Sequence, residues 1–309
     1  MPSARALCPS YSASVVIPSY NMGWCISRAV ISCQRQSMPV HEIIVVDDCS
    51  TDNTEKLVQD LATRDPRIKY FRNAKNEGHL RALGFGLERA TSEWVALLDA
   101  DDELTYLSIE ARIRAALEYQ KTTGITPQLS YGDHFQVSET SGKIRHTRFV
   151  RFNGYAYDFV TKELCLCQTS TIMLGKNCVK LFPRSTNKWT TDDLIVLAIA
   201  KEFPLVHCGQ IVAVYHKHAS TSRMSNDPKR RFHGIRDLVR VNHGEILRIH
   251  GIFVLLLWHL RLLKAFLDYK IEIEDQRKGF GNKFVRSILY GARNRLSTFL
   301  TKHFTLNYF

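Results

Sequence analysis

The chain of 309 residues is long enough for one large folded domain or two smaller ones. Hydrophobic residues make up 45% and charged residues 23% of the sequence, an ordinary balance for a folded protein that excludes a disordered chain. The net charge of +12 is concentrated at one end, because residues 201–309 contain 19 Lys and Arg against 8 Asp and Glu. This basic end favours an anionic partner: a membrane surface, a phosphorylated acceptor or nucleic acid.

The first 120 residues alternate between strand and helix patterns. Runs of β-branched and aromatic residues predict four strands, at 14–17, 42–46, 68–71 and 94–98. Helices are predicted between and after them: up to about residue 36, from an N-cap at Asp52 to about residue 64, through Leu80, Leu83 and Leu87, and over 107–120. This alternation predicts an α/β fold with a Rossmann-type, mixed and mainly parallel sheet flanked by helices.

The second half is less regular. Strands are predicted at 128–137, 143–150, 169–174 and 206–215, with a helix over 192–201. A polar run at 225–228 marks the start of the basic end. We therefore expect a domain over residues 1–225 and a basic, amphipathic helical extension over 226–309.

Polar and acidic residues follow three of the first four strands, at 19–21, 47–48 and 99–102. Because ligands of such sheets bind beyond the carboxyl ends of the strands, we expect these groups to converge on one edge. Asp99 and Asp101 form an Asp-x-Asp pair whose hard oxygen ligands suit Mg²⁺ or Mn²⁺. Taken alone, the acidic run would equally fit a hydrated turn.

Four segments follow one another in the amino-terminal third of the chain: VVIPSYN at 15–21, EIIVVDDCSTDNT at 42–54, NEGHLRALGFGL at 76–87 and WVALLDADD at 94–102. Over about residues 13–220 the chain resembles the family 2 glycosyltransferases of GT-A fold. The resemblance implies transfer of a sugar from a nucleotide diphosphate to an acceptor hydroxyl, with inversion and with bound Mn²⁺ or Mg²⁺. Because members of this family commonly use UDP-sugars, the resemblance implies UDP as the nucleotide. The half over 13–105 would hold the nucleotide-sugar, and the half over 106–225 the acceptor.

The resemblance also assigns roles to residues. Tyr20 would stack on the base and Asp48 would accept a base N–H. Asp99 and Asp101 would contact ribose and metal, with Asp102 as the alternative for this pair. Asp193 would be the catalytic base, with its neighbour Asp192 as the alternative. The full set of predicted nucleotide-sugar contacts is Pro18, Ser19, Tyr20, Asn21, Asp48, Asn76, Gly78, Arg81, Asp99 and Ala100.

Some positions depart from the family pattern or add to it. Ala82-Leu83-Gly84 stands where many members have Ala-Arg-Asn, although Arg81 lies beside it. Gly84-x-Gly86 within a helical pattern predicts close packing or a kink. His216 and His218 follow the last strand on one face of an extended segment, and we expect His218 to be either a metal ligand or a hydrogen-bonded surface residue.

The basic end contains the apolar segment 251–270, whose uncharged core is too short to span a membrane. It suits a helix lying in anionic headgroups or one packed against protein. No signal peptide is expected and the eight cysteines are scattered, so we expect a cytoplasmic protein that is peripheral on the inner membrane face. We expect it to act on a glycan or lipid-linked acceptor in polysaccharide or lipopolysaccharide synthesis. A non-catalytic nucleotide-sugar binding module is the alternative, and no nucleic-acid partner is expected.

Overall fold

The computed structural model describes residues 11–157, 160, 167–183, 192–218, 228–276 and 289–298. These residues fall into two compact units. The first contains the described residues up to 218, and the second contains 228–276 and 289–298.

The first unit is built on a sheet with ten strands in its described part. In chain order they are β1 (Ala13–Ser19), β2 (Glu42–Asp47), β3 (Ile68–Arg72), β4 (Trp94–Leu97), β5 (Glu103–Leu104), β6 (Leu129–Ser138), β7 (Ile144–Thr147), β8 (Asn153–Gly154), β9 (Met173–Gly175) and β10 (Leu205–Lys217). The strands lie in the order β3-β2-β1-β4-β9-β6-β10-β5, with β7 beside β6 and β8 beside β10.

Six strands of this sheet run in the same direction: β3, β2, β1, β4, β6 and β10. β3, β2, β1 and β4 pair in parallel, β9 is antiparallel to both β4 and β6, and β10 is parallel to β6. The carboxyl ends of β1, β2, β3, β4, β6 and β10 therefore meet at one edge of the sheet, which we call the carboxyl edge. This arrangement confirms the predicted mixed, mainly parallel sheet.

Helices cover both faces of this sheet. They are α1 (Ile26–Gln34), α2 (Thr54–Ala62), α3 (His79–Arg89), α4 (Ser108–Thr123) and α5 (Asp192–Ala200). Alternate residues of β1 explain the two layers. Val15 and Ile17 join the core formed with α1, α2 and α4, while Val16 points to the opposite face and contacts α3.

The close approach of α3 to the sheet depends on Gly86. A Cβ atom added there would lie 2.4 Å from Val16 Cγ1 and 3.2 Å from Val46 Cγ2, so only glycine fits without movement. This confirms close packing at the Gly84-x-Gly86 pattern. The position of α3 matters for the site, because its first turn lies at the carboxyl edge.

A local prediction in the second half was wrong. Residues 169–174 form a short 3-10 helix over Thr169–Thr171 before β9 begins at Met173, rather than one strand. This difference arises from tertiary contacts that local propensity does not encode. The capping contact predicted at Asp52 is present, because Asp52 Oδ1 accepts the Thr54 N–H at 3.0 Å, although the helix begins at Thr54, one residue later than predicted. Asp52 Oδ2 also accepts the Gly23 N–H at 2.9 Å.

The second unit contains one continuous helical segment, α6 (Pro228–Gln276), and a helical stretch at 289–298. The Phe232 ring lies 5.5 Å from that of Phe266 and 5.9 Å from that of Tyr269. A straight helix would separate the first pair by about 50 Å. The segment α6 therefore folds back on itself between residues 233 and 266.

Within α6 the tryptophan of the apolar segment is not at the surface. Trp258 is fully buried and Arg261 nearly so, so these two are not placed as exposed headgroup anchors. Among the described helices, none is long and apolar enough to cross a membrane.

Candidate active site

Three carboxylates meet where β4 ends at the carboxyl edge. Asp99, Asp101 and Asp102 each offer an oxygen, and these oxygens lie within 4.8 Å of one another. Asp101 and Asp102 are buried, whereas the Asp99 side chain is 31% exposed. Like charges this close repel one another, so the cluster is favourable only where positive groups or hydrogen-bond donors offset the repulsion.

Each carboxylate of this cluster receives a donor from another part of the chain. His79 Nε2 lies 2.7 Å from Asp99 Oδ1, and His218 Nε2 lies 3.0 Å from Asp101 Oδ2. Ser170 Oγ donates to Asp102 Oδ2 at 2.6 Å, and the backbone N–H of His216 donates to Asp102 Oδ1 at 3.2 Å. The cluster is thus assembled from β4, the start of α3, the 3-10 helix before β9 and the end of β10.

Arg28 of α1 ties this cluster to the neighbouring strand ends. Its Nη2 donates to the Asp101 carbonyl at 2.9 Å and its Nη1 to Glu139 Oε1 at 3.0 Å. His216 Nε2 lies 2.7 Å from Glu103 Oε1, which is itself 3.6 Å from Arg28 Nε. A network of ion pairs and hydrogen bonds therefore borders the acidic cluster on the β6 and β10 side.

Cys25 lies beside the same cluster. Burial, together with the neighbouring Asp101 carboxylate, raises the pKa of the Cys25 thiol to about 12. In the protein without a bound cation, Cys25 is therefore a neutral thiol at physiological pH and not a thiolate nucleophile.

Asp48 follows β2 at the same edge and is 3% exposed. Its Oδ1 accepts hydrogen bonds from Asn73 Nδ2 and from the backbone N–H of Glu77, both at 2.8 Å, and its Oδ2 accepts the Gly78 N–H at 2.7 Å. The carboxylate thus organises the segment 73–78 between β3 and α3. This organising contact is additional to the base contact expected from the sequence.

The turn after β1 combines one exposed ring with constrained neighbours. The Tyr20 side chain is 44% exposed, as a stacking surface requires. Asn21 has a φ of 54°, and its Oδ1 accepts the Thr51 N–H at 2.8 Å, which joins this turn to the one after β2. Ser19 Oγ is buried and has no hydrogen-bond partner within the described ranges.

The remaining predicted residues have different surroundings. Pro18 and Ala100 are buried at the ends of β1 and β4, and Arg81 donates to Glu77 Oε2 at 2.7 Å on the exposed side of α3. Asn76 lies half-buried in the segment held by Asp48. Asp193 is half-buried in the first turn of α5, and the side chain of Asp192 lies outside the described residues.

Several residues at the site were not predicted from sequence. His79, Ser170, Arg28, Glu103 and Glu139 all contact the acidic cluster or its immediate partners. His79 lies in the motif NEGHLRALGFGL, so its chemistry was visible although its target was not. Ser170, in contrast, lies 68 residues from Asp102 in a run predicted as a strand, and no local signal points to it.

The fold resembles that of a solved protein structure. The structure of Staphylococcus aureus TarS 1–349 in complex with UDP-GlcNAc superposes with a TM-score of 0.61 over 86% of this chain and 76% of that one. The sequences are 18% identical over this match, so the likeness concerns the fold. It identifies the mixed sheet and its helices as a GT-A arrangement.

Curated relatives share about a third of the sequence. A β-1,3-glucosyltransferase of Campylobacter jejuni that acts on GalNAc(5)-diNAcBac-PP-undecaprenol is 39% identical over 106 residues. The putative teichuronic acid biosynthesis glycosyltransferase TuaG of Bacillus subtilis is 39% identical over 105 residues. Each match covers 34% of this chain, and the chain spans only 34% and 42% of the respective relatives.

A family model matches a longer part of the chain, from β1 to β9. The model of glycosyl transferase family 2 matches residues 14–176, which include the turn after β1, Asp48, the segment held by Asp48 and the acidic cluster. These are the parts that meet at the carboxyl edge. The chain therefore belongs to glycosyl transferase family 2.

Proposed function

We propose that the protein transfers a sugar, with inversion, from a UDP-sugar to a hydroxyl of a glycan or lipid-linked acceptor. The observation that carries this proposal is the cluster of Asp99, Asp101 and Asp102 at the carboxyl edge, where ligands of such sheets bind. The proposed pathway class, cell-surface polysaccharide or lipopolysaccharide synthesis, is supported by the names of the Campylobacter and Bacillus relatives. The UDP donor is supported by the TarS complex.

The cluster fits a divalent cation. Three carboxylates offer hard oxygen ligands, each with lone pairs beyond the hydrogen bonds already described, and their oxygens are close enough to share one ion. His218 Nε2 lies 3.0 Å from Asp101 Oδ2, so its imidazole borders the cluster. In our proposal Asp101 and Asp99 hold Mn²⁺ or Mg²⁺ with His218. The bound ion would stabilise the charge of the leaving diphosphate.

The chain's own residues would bind the donor and move one proton. Tyr20 would stack on the base and Asp48 would accept a base N–H through a lone pair left beside its three internal donors. The buried and unpartnered Ser19 Oγ suits a nucleotide contact. Contacts from Pro18, Asn21, Asn76, Gly78, Arg81 and Ala100 complete the proposed binding surface.

The transfer step needs a base on the acceptor side. The acceptor oxygen bonds to the anomeric carbon as the bond to the diphosphate breaks, and the hydroxyl proton passes to a carboxylate. We assign this role to Asp193, with Asp192 as the alternative, because the pair opens a helix in the half proposed to hold the acceptor. Such a base typically contributes about 10²–10⁴-fold.

Association with the inner membrane face is the second part of the proposal. Where residues 228–250 are described, the exposed charged ones are Lys229, Arg236, Arg240 and Arg248. Successive spacings of seven and four residues place the first three cations on one face of a helix. This basic face, rather than the buried Trp258, is suited to attract anionic lipid.

A charge reversal at Arg236 and Arg240 tests the membrane part. The double variant to Glu should lose most of the binding to vesicles of anionic lipid, and the same reversal at the exposed Lys121 of α4 should not. Equal binding of the double variant and the wild type to these vesicles would refute the proposed membrane association.

Donor hydrolysis tests the enzymatic part. A panel of UDP-, GDP-, dTDP- and CMP-sugars would be incubated with the protein in Mn²⁺, in Mg²⁺ and in EDTA, with and without membrane extract as acceptor. Release of UDP from one donor, abolished by EDTA, is the expected result. Metal-dependent nucleotide binding without release, even with extract, would instead favour a non-catalytic nucleotide-sugar binding module. Absence of nucleotide binding under every condition would refute the proposal.

A further inference from the structure

His79 begins α3 and reaches the first carboxylate of the acidic cluster. Its Nε2 lies 2.7 Å from Asp99 Oδ1, and the two side chains are 22% and 31% exposed. The carboxylate can only accept, so the imidazole N–H donates this bond. Among the described residues, His79 supplies the one side-chain hydrogen bond to the Asp99 carboxylate.

Asp99 is the member of the cluster that most needs such a bond. Asp101 and Asp102 are buried, and surrounding protein restricts their rotamers. The Asp99 backbone is held because its N–H donates to Ser170 Oγ at 3.1 Å, but its side chain borders solvent and is repelled by two nearby carboxylates. Without a donor, repulsion would favour rotamers that turn the Asp99 carboxylate out of the cluster.

The backbone that carries His79 is itself fixed. The residues just before it, Glu77 and Gly78, donate their N–H groups to Asp48, and Gly78 has a φ of 97°, a conformation that favours glycine. The chain turns at Gly78 directly into α3, so the imidazole starts from an anchored position. A single short segment thus joins the carboxylate that follows β2 to the carboxylate that follows β4.

We propose that His79 is a positioning residue that holds Asp99 in the orientation needed to bind the divalent cation of the donor complex. This inference rests on the proposed function, because it assigns His79 to the same metal site. The N-terminal turn of α3 adds a favourable field for the carboxylate. Residues of this kind, which orient a metal ligand through a hydrogen bond, typically change metal affinity about 10–100-fold when removed.

The test compares two substitutions of one residue. His79→Leu keeps the size of the side chain but removes the donor, and we expect the Kd for Mn²⁺, measured by electron paramagnetic resonance of the protein without donor, to rise about 10–100-fold. His79→Gln places an amide N–H at a similar reach and should restore the Kd to within about threefold. In donor hydrolysis, the Mn²⁺ concentration at half-maximal rate should follow the same order, while kcat at saturating Mn²⁺ changes less.

The control is His41→Leu, which removes an exposed imidazole from the turn before β2 and should leave Mn²⁺ binding unchanged. Thermal unfolding of each variant checks that the fold is retained. A wild-type Kd in His79→Leu, or an equal loss in His79→Leu and His79→Gln, would overturn the role of His79 while leaving the metal site intact. Absence of Mn²⁺ binding in the wild type itself would overturn the proposed metal site, and the inference with it.

Discussion

Two clusters of Asp and His in the first unit differ in their balance of charge. At the carboxyl edge, Asp99, Asp101 and Asp102 crowd together, with His79 and His218 each bonded to one of them. Deeper in the sheet, a single carboxylate, Asp133 of β6, receives three donors. His207 Nε2 at 3.1 Å and the Phe149 N–H at 2.9 Å share Oδ1, and His146 Nε2 lies 3.2 Å from Oδ2.

The two clusters differ in how well the surrounding protein satisfies their carboxylates. Asp133 is 1% exposed, and its oxygens are matched by protein donors, so it has the features of a structural group. The edge cluster carries three carboxylates in a smaller space, and one of them borders solvent. An excess of like charge at a place where ligands enter is stabilised when a cation binds.

The largest effect should come from breaking the edge cluster. Asp101→Ala removes a carboxylate proposed to hold the metal, and we expect sugar transfer to fall about 10³-fold because the leaving diphosphate loses stabilisation. The thermal midpoint should change little, since removal of one of three like charges offsets the bond lost by His218. Steady-state kinetics measure the loss, with Asp60→Ala on the exposed face of α2 as the matched control. A rate within threefold of wild type would contradict the metal assignment.

The opposite result is expected for the inner cluster. Asp133→Ala leaves the buried His207 imidazole and the Phe149 N–H without their acceptor, which should lower the free energy of unfolding by about 1–3 kcal/mol for each group. Urea denaturation measures this, and Asp60→Ala serves again as the surface control. At a temperature where the variant stays folded, its kcat should match the wild type. Normal stability with poor turnover in the Asp133→Ala variant would contradict the structural role of Asp133.

A smaller effect concerns pH. Burial lowers the pKa of His134, next to Asp133, to about 4 from its ordinary 6.5, and burial also lowers that of His207. The unfolded chain takes up protons below pH 6.5 while the folded chain does not, so stability is lost as pH falls from 6.5 towards 4. From pH 6.5 to 5 His134 alone should contribute about 2 kcal/mol.

The Glu42 carboxylate contributes little to the change in stability between pH 6.5 and 5. Burial would raise the pKa of Glu42, but hydrogen bonds from Lys69, Thr91 and Ser14 lower it to about 2, so its stabilising effect is lost only as pH falls below the ordinary value of 4.5. Urea denaturation between pH 7.5 and 5 should therefore report the histidines. His134→Asn should flatten part of the slope and His41→Asn none of it. A wild-type free energy of unfolding that is constant over this range would contradict the buried neutral state.

Much of the first hundred residues could be predicted because their information is local. β2 and β3 begin at the predicted residues, 42 and 68, since short runs of β-branched and aromatic residues alternate with amphipathic helices. The second half was harder. β5 and β8 have two residues each, and the 3-10 helix at Thr169–Thr171 interrupts a run with strand propensity. Such elements form because their neighbours pair with them, which no local pattern records.

Residue patterns alone predicted an α/β protein with acidic residues after its strands, and the order of the motifs predicted family 2 and the Asp-x-Asp pair. The groups that surround those acids, in contrast, are visible only in the folded chain. His218 lies 117 residues from Asp101, Ser170 lies 68 from Asp102 and Arg28 lies 73 from the carbonyl that it binds. The physical reason is that strand direction brings strand ends to one edge, whereas the pairing of individual side chains depends on how separate segments pack there.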